Sequence, residues 1–155
     1  MKTRLFAEAK IKKLITENAK FNVIFMDYRN FAGFNREYGY EGGNKAAKTL
    51  GDQMKSLIKE FAPKDAFPYS YGEDKFVIIA KQKGEEIVKN LIEEMEIHIP
   101  LLCEDKNANY YLLHLSVALV DVDPAKTKSI GEIMQIAGRL LVDAKTKPGS
   151  AYAKG

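Results

Sequence analysis

Only one cysteine occurs among the 155 residues. Cys103 has no partner for an internal disulfide, so folding needs no oxidising compartment. Its neighbours Leu101 and Leu102 suit a small buried hydrophobe better than a nucleophile. Long apolar runs are also missing. None approaches the roughly 18 residues needed to cross a bilayer, and Met1-Lys2-Thr3-Arg4-Leu5-Phe6 lacks the apolar core of a signal peptide. Nor does one sign of charge dominate. Lys and Arg number 24 against 21 Asp and Glu, a formal net charge of +3. The basic residues are scattered, and the nearest thing to a patch, Lys10, Lys12 and Lys13, reads as the solvated face of a helix. Nucleic-acid binding needs basic residues gathered on one face, so nucleic acid is not an expected partner. No segment reads as membrane-spanning, and a cytoplasmic location is the expectation.

What is present is ordinary for a single soluble domain. Hydrophobic residues make up 46% and charged residues 29%, which excludes disorder at a length able to bury one core. Leu5, Ala9, Ile11, Leu14 and Ile15 recur near helical spacing, so the first twenty residues read as a helix. Phe21 to Met26 is a short apolar run ending at Asp27, the pattern of a buried strand. Tyr28 to Gly43, rich in aromatics and glycine, reads as a turn-like stretch whose aromatics Tyr28, Phe31, Phe34, Tyr38 and Tyr40 pack the corner after the strand. Helical spacing resumes from Asn44, a plausible N-cap, to Phe61. Pro63-Lys64-Asp65 breaks that helix.

Phe67 to Tyr71 and Lys75 to Ala80 are two strand candidates around a hairpin turn. Glu85 to Ile97 has the apolar period of a helix, with Pro100 expected at its end. Tyr110 to Val122 is the longest strand signal. Ser129 and Glu132 match a capping box that opens a last helix running to about Lys145. Pro148-Gly149 stops it, and Ala151-Tyr152 suits a small edge strand. The order α-β-α-β-β-α-β-α, with one antiparallel hairpin, predicts an α+β fold: a mixed central β-sheet flanked by helices. His98 and His114 lie on different elements, and no transition-metal site is expected from them.

Three stretches, in order, carry a resemblance. FNVIFMDYRNFAGFNREYGYEGGNKAAKTLG is similar to a strand, an Asp, "F-x-x-[IF]-N-[DR]-x-[YF]-G-H-x-x-G-D" and a helix. SYGEDKFVIIA stands where "R-[LY]-G-G-[DE]-E-F-V-[VI]" would. LHLSVALVDVD and MQIAGRLLVDAKTKPGS resemble "T-[VI]-S-[IV]-G-[VI]-A" and "A-D-x-A-L-Y-x-A-K-x-x-G-R-N". Together they resemble the GGDEF domain of diguanylate cyclases over nearly the whole chain. The implied fold is the palm-like fold of nucleotidyl cyclases. Thr3-Arg4-Leu5-Phe6 is similar to the end of the family's opening motif, whose earlier part is absent; either the entry turn has degenerated or, as is favoured, residues 1–155 are one domain of a longer signalling protein.

The resemblance implies joining of two nucleoside triphosphates, chemistry that depends on Mg²⁺ or Mn²⁺ held by hard oxygen ligands. It assigns the metal positions to Asp27 and Asp74, and nucleotide binding to Asn35, Asn44 and Lys145. On spacing alone Asp27 reads as a strand-end residue and Lys145 as a cation favourably placed at a helix C-terminus. The departures are pointed. The signature reads Gly72-Glu73-Asp74-Lys75-Phe76: Glu73 adds a carboxylate where a glycine lets backbone approach phosphate, and Lys75 replaces an acid. Arg29 replaces the second Asp of a D-x-D pattern. Asn44 stands for an Asp that would accept two hydrogen bonds from the guanine edge, whereas an amide presents one acceptor and one donor. Tyr40 replaces a His, and the last helix is followed by Pro148-Gly149-Ser150 without an arginine.

The family's inhibitory product site needs R-x-x-D, and Phe61-Ala62-Pro63-Lys64-Asp65-Ala66 has no arginine to grip the dinucleotide. The expectation is therefore a degenerate domain without cyclic di-GMP synthesis, acting as a regulatory or interaction module with protein partners or as a homodimer. The alternative is a residual metal-dependent nucleotide-binding enzyme, a cyclase or triphosphatase acting on GTP or ATP. A polymerase-like palm shares the layout, but the lost glycine and the absence of a concentrated basic surface speak against it.

Overall fold

The computed structural model describes residues 2–29, 31–72, 74–102 and 114–155, with backbone alone for 95–102. Its elements in chain order are α1 (Arg4–Thr16), β1 (Phe21–Tyr28), α2 (Phe31–Phe61), β2 (Ala66–Ser70), β3 (Lys75–Ala80), α3 (Gly84–Leu102), β4 (Leu115–Val122), α4 (Ile130–Lys145) and β5 (Ala151–Lys154). One five-stranded sheet has the order β2-β3-β1-β4-β5. All pairings are antiparallel except β4 with β5, so the sheet is mixed as expected.

The apolar run of β1 is explained by its place between β3 and β4, with helices on both faces. Strand residues alternate between faces. Ile24, Met26 and Tyr28 join the core beneath α2 and α3, while Phe21, Val23 and Phe25 join the core beneath α1 and α4. Asp27 continues the second set and points toward α4. On β3, Val77 and Ile79 share that face, which puts Lys75 there too. The α1 lysines are partly engaged within the chain: Lys10 lies over the Phe67 ring and Lys13 pairs with Glu17.

Three expectations need correction. The stretch Tyr28 to Gly43 is mostly helical rather than turn-like, because α2 starts at Phe31. Gly39 (φ 76°, ψ 173°) kinks it, a conformation that glycine adopts without a Cβ clash. Asn44 is therefore not an N-cap but an exposed residue within the helix. Four of the five aromatics do pack the corner: Tyr28, Phe31, Phe34 and Tyr38 follow one another with centroids 5.5, 6.3 and 4.8 Å apart. Tyr40, just past the kink, is 77% exposed instead.

Helix α3 continues through Pro100 to Leu102 rather than ending there. The Ser129 hydroxyl accepts from the Glu132 amide at 3.2 Å, as a helix cap should. The edge strand at Ala151 forms. For the long strand, Leu115 to Val122 is described, and its expected beginning at Tyr110 lies outside the described residues, as do Cys103, Glu73 and the His98 side chain.

Candidate functional site

The strand period decides which candidate residues meet. Asp27, the last residue but one of β1, is directly opposite Lys75 of β3 and Ser116 of β4. Its side chain is 14% exposed, and Oδ2 receives the Lys145 ammonium at 3.3 Å. Lys145 is the last residue of α4, where a cation also suits the negative end of the helix dipole. Asp27 and Lys145, assigned to metal and nucleotide respectively, are thus partners in one ion pair. The other carboxylate oxygen, Oδ1, is buried and has no hydrogen-bond partner.

Arg29 takes up a structural duty in the same corner. Its Nε donates to the buried Ser116 hydroxyl at 2.8 Å, and its two terminal nitrogens donate to the Ala144 and Lys147 carbonyls. Ala144 is in the last turn of α4, where its carbonyl also accepts from the Lys147 amide at 3.1 Å, and Lys147 follows the helix end. The backbone is tied as well, the Arg29 amide donating to the His114 carbonyl at 2.8 Å. Burial pushes the guanidinium's pKa down, and the charge of Asp27 opposes that shift. Sequence reasoning identified the charge reversal at position 29 but not this clamp. Its side-chain partners lie 87, 115 and 118 residues away, and no local signal could have revealed them.

The hairpin between β2 and β3 closes with the Tyr71 amide donating to the Lys75 carbonyl at 2.8 Å. Gly72 takes φ 144° there, and the Ser70 hydroxyl donates to its carbonyl. Asp74 is half-buried at the turn, one residue before Lys75. Lys75 is exposed, and no ion pair joins it to another described residue. Among the described residues no group of three or more His, Cys, Asp or Glu side chains is gathered as a metal site.

Asn35 and Asn44 stand apart from this corner, on α2 and hence over the opposite face of the sheet. Asn35 packs on Gly43 so closely that a Cβ there would lie 1.8 Å from its Oδ1. That oxygen is buried and without a hydrogen-bond partner. A cavity of about 460 Å³, lined by neither asparagine, opens between α2 and the hairpin. Ala47, Lys48, Gly51, Asp52, Lys55, Ser70, Gly72 and Phe76 line it, so it carries one acid beside its two lysines. The two lysines are further candidates for meeting an anion, and they had no motif to flag them.

Comparison with known proteins agrees with this architecture. Against the curated Diguanylate cyclase VdcA of Vibrio cholerae serotype O1 the chain is 23% identical over 133 residues, 85% of its own length and 38% of the relative's. It thus spans well under half of that protein. The structure of the active GGEEF domain of a diguanylate cyclase from Vibrio cholerae superposes with a TM-score of 0.75 at 16% identity, covering 99% of this chain and 96% of that one. The GGDEF domain of YfiN (TpbB) from Pseudomonas aeruginosa gives 0.76 at 14% identity, with 99% and 95% covered. These likenesses establish the α+β palm-like fold. The family profile described as "Diguanylate cyclase, GGDEF domain" matches residues 2–150, and the chain belongs to that family.

Proposed function

We propose that this domain has lost diguanylate cyclase activity and acts as a regulatory or interaction module, one domain of a longer cytoplasmic signalling protein, with a protein or a second copy as partner. The observation that carries this reading is the cationic surrounding of Asp27. Lys145 occupies one carboxylate oxygen, Lys75 lies directly opposite in register, and Arg29 is two residues away with its guanidinium committed to the end of α4. A Mg²⁺ or Mn²⁺ ion requires hard anionic oxygens. Asp74 is the second acid that the family pattern assigns, and it is followed by a lysine where a further acid is expected. The donor set around Asp27 does not fit a divalent cation.

Incubation with GTP and either Mg²⁺ or Mn²⁺, followed by chromatography, tests the proposal. No cyclic di-GMP above background is expected, and product formed in proportion to enzyme would overturn it.

A second reading rests on different observations, the orphaned Asn35 oxygen and, elsewhere along α2, a cavity that Lys48, Lys55 and Asp52 help to line. In this reading Asn35, Asn44 and Lys48 retain a nucleoside triphosphate, and the domain is a slow triphosphatase or cyclase acting on GTP or ATP. The amide of Asn44 offers one acceptor and one donor, which relaxes selection for guanine. Thermal shift with millimolar ATP and GTP, with and without Mn²⁺, separates the readings. A ligand that binds the native state must raise the midpoint, so an unchanged midpoint for every nucleotide removes the second reading.

A further inference from the structure

A second cavity, of about 330 Å³, lies between α4, the base of the hairpin and the start of α1. Phe25 and Ala137, both nearly buried, form its floor. Met134, Gly138 and Leu141 of α4 form one wall, and Tyr71, Lys75 and Arg4 form the other. The helical period puts Gly131, Met134, Gly138 and Leu141 on one flank of α4. Val142, 64% exposed, carries this apolar strip onto the outward crest of the helix. The charged residues of α4 before Lys145, namely Glu132, Arg139 and Asp143, fall on the other flank. Gly138 is exposed in the interior of the helix, and a Cβ on it would meet nothing within 4 Å. Packing within the chain does not call for a glycine there, which is costly in a helix relative to alanine. Close approach of another molecule to α4 does.

The wall opposite α4 is held in place by contacts within the chain. Glu8 accepts from Arg4 Nε at 2.9 Å and from the Tyr71 hydroxyl at 3.0 Å, and the Arg4 guanidinium lies over the Tyr71 ring at 5.1 Å. The Tyr71 ring in turn meets Phe25 edge-on at 5.9 Å. Walls already ordered spare a partner the entropy of arranging them. Charge is uneven around the rim. Arg4 is balanced by Glu8 and Lys145 by Asp27, whereas Lys75 has no ion pair with a described residue. The cleft is thus apolar between its walls and cationic at one corner, which suits an apolar side chain with a carboxylate near it. The strip from Gly131 to Val142 runs for about three helical turns, the reach over which a docked helix presents its anchors. The first turns of α1 from a second copy fit poorly, because exposed Leu5 and Phe6 stand there among Lys2, Arg4 and Lys10 and would bring cations to Lys75. We propose that this cleft docks an amphipathic helix of a partner protein, with its central apolar side chain seated over Gly138 between Leu141 and Tyr71 and a carboxylate of the same helix paired with Lys75. The proposal rests on the reading of the domain as an interaction module, and it names the surface and the partner's chemistry.

Titration of the isotopically labelled chain with an alanine-based helical peptide, followed by amide chemical shifts, tests it. The peptide carries leucine, phenylalanine and leucine at i, i+3 and i+7, with glutamates beside them. Shifts are expected at Tyr71, Lys75, Gly138 and Leu141, saturating in the millimolar range. Replacing the peptide's glutamates by lysines, or Lys75→Glu in the domain, should each weaken binding about tenfold, the scale of one charge-assisted pair. Gly138→Gln, which favours the helix and fills the cleft, should leave the spectrum folded and abolish the response. Arg139→Gln, on the far flank, should leave the response intact. Unmoved amides, equal binding of the lysine peptide, an undiminished response in Gly138→Gln or a lost one in Arg139→Gln would overturn the proposal. Shifts at the same amides on raising the protein concentration alone would assign the cleft to a second copy and overturn it as well. Failure of the underlying reading is read separately: cyclic di-GMP formed from GTP in the peptide-free assay removes the interaction-module reading, whatever the peptide does.

Discussion

Arg29 shows how one side chain can fasten distant parts of a chain together. Its side chain serves a buried serine hydroxyl and two carbonyls, one of them on buried Ala144. Truncation leaves the buried Ser116 hydroxyl oxygen without this donor, while the Ala144 carbonyl keeps the Lys147 amide, and an unsatisfied buried group costs about 1–3 kcal/mol. Arg29→Ala should therefore lower unfolding stability by about 1–3 kcal/mol, read from the urea midpoint, and Arg29→Lys should recover only part of that because an ammonium cannot span the fork. A midpoint unchanged in Arg29→Ala would show that the clamp carries no energy. At this scale the sequence was half legible. The reversal of charge at position 29 is visible in a string of letters, whereas its partners are brought in by folding. The contact between Asn35 and Gly43 was hidden for a different reason: it depends on α2 bending at Gly39, and the aromatic, glycine-rich composition there resembled a turn.

Among elements, the clearest dependence on conditions lies where α3 meets β5. Glu85, in the first turn of α3, accepts from the Tyr152 hydroxyl at 3.0 Å and from the Lys154 ammonium at 3.2 Å. The Tyr152 bond first, and the Lys154 bond and charge next, lower the Glu85 pKa below the ordinary glutamate range. The unfolded chain therefore binds a proton at Glu85 at a higher pH than the folded chain does. Stability from this contact is present above the ordinary glutamate pKa and is lost as pH falls through the lowered folded value. The Gly155 amide, which donates to the Leu119 carbonyl at 3.1 Å, reports on the end of β5. Its hydrogen-exchange protection, corrected for intrinsic rates, should decline with acid across that window and should lose this dependence in Glu85→Gln. Equal pH dependence in both proteins would place the effect elsewhere. Helix termini were legible wherever a local cap set them, as at Ser129, and illegible at α3, where the backbone continues helically past the proline expected to stop it.

For the whole molecule, interleaved helices and strands were enough to anticipate a mixed sheet between helical layers. Strand order was not, because β1 becomes central only through its pairings with β3 and β4, and periodicity does not encode partners. The same limit applies to the site. Alternation along β1 places Asp27 on the face of Phe25, toward α4, while Asn35 and Asn44 ride on α2 over the other face. Family resemblance grouped these residues as one nucleotide site, and spacing in the sequence alone could not say how the sheet and α2 bring them together. Cyclisation also needs two nucleotides held face to face. The expected absence of cyclic di-GMP is thus a property of the assembled molecule, as well as of the altered hairpin.

The clamp at Arg29 also has a kinetic side. Its bonds to Ala144 and Lys147 join positions 115 and 118 residues apart, among the most distant contacts a chain of 155 residues can make. Contacts of such sequence separation close only after the entropy of a very long loop has been surrendered. The corner around Asp27 is accordingly expected to assemble late, so that Arg29→Ala should speed unfolding more than it slows folding in stopped-flow kinetics.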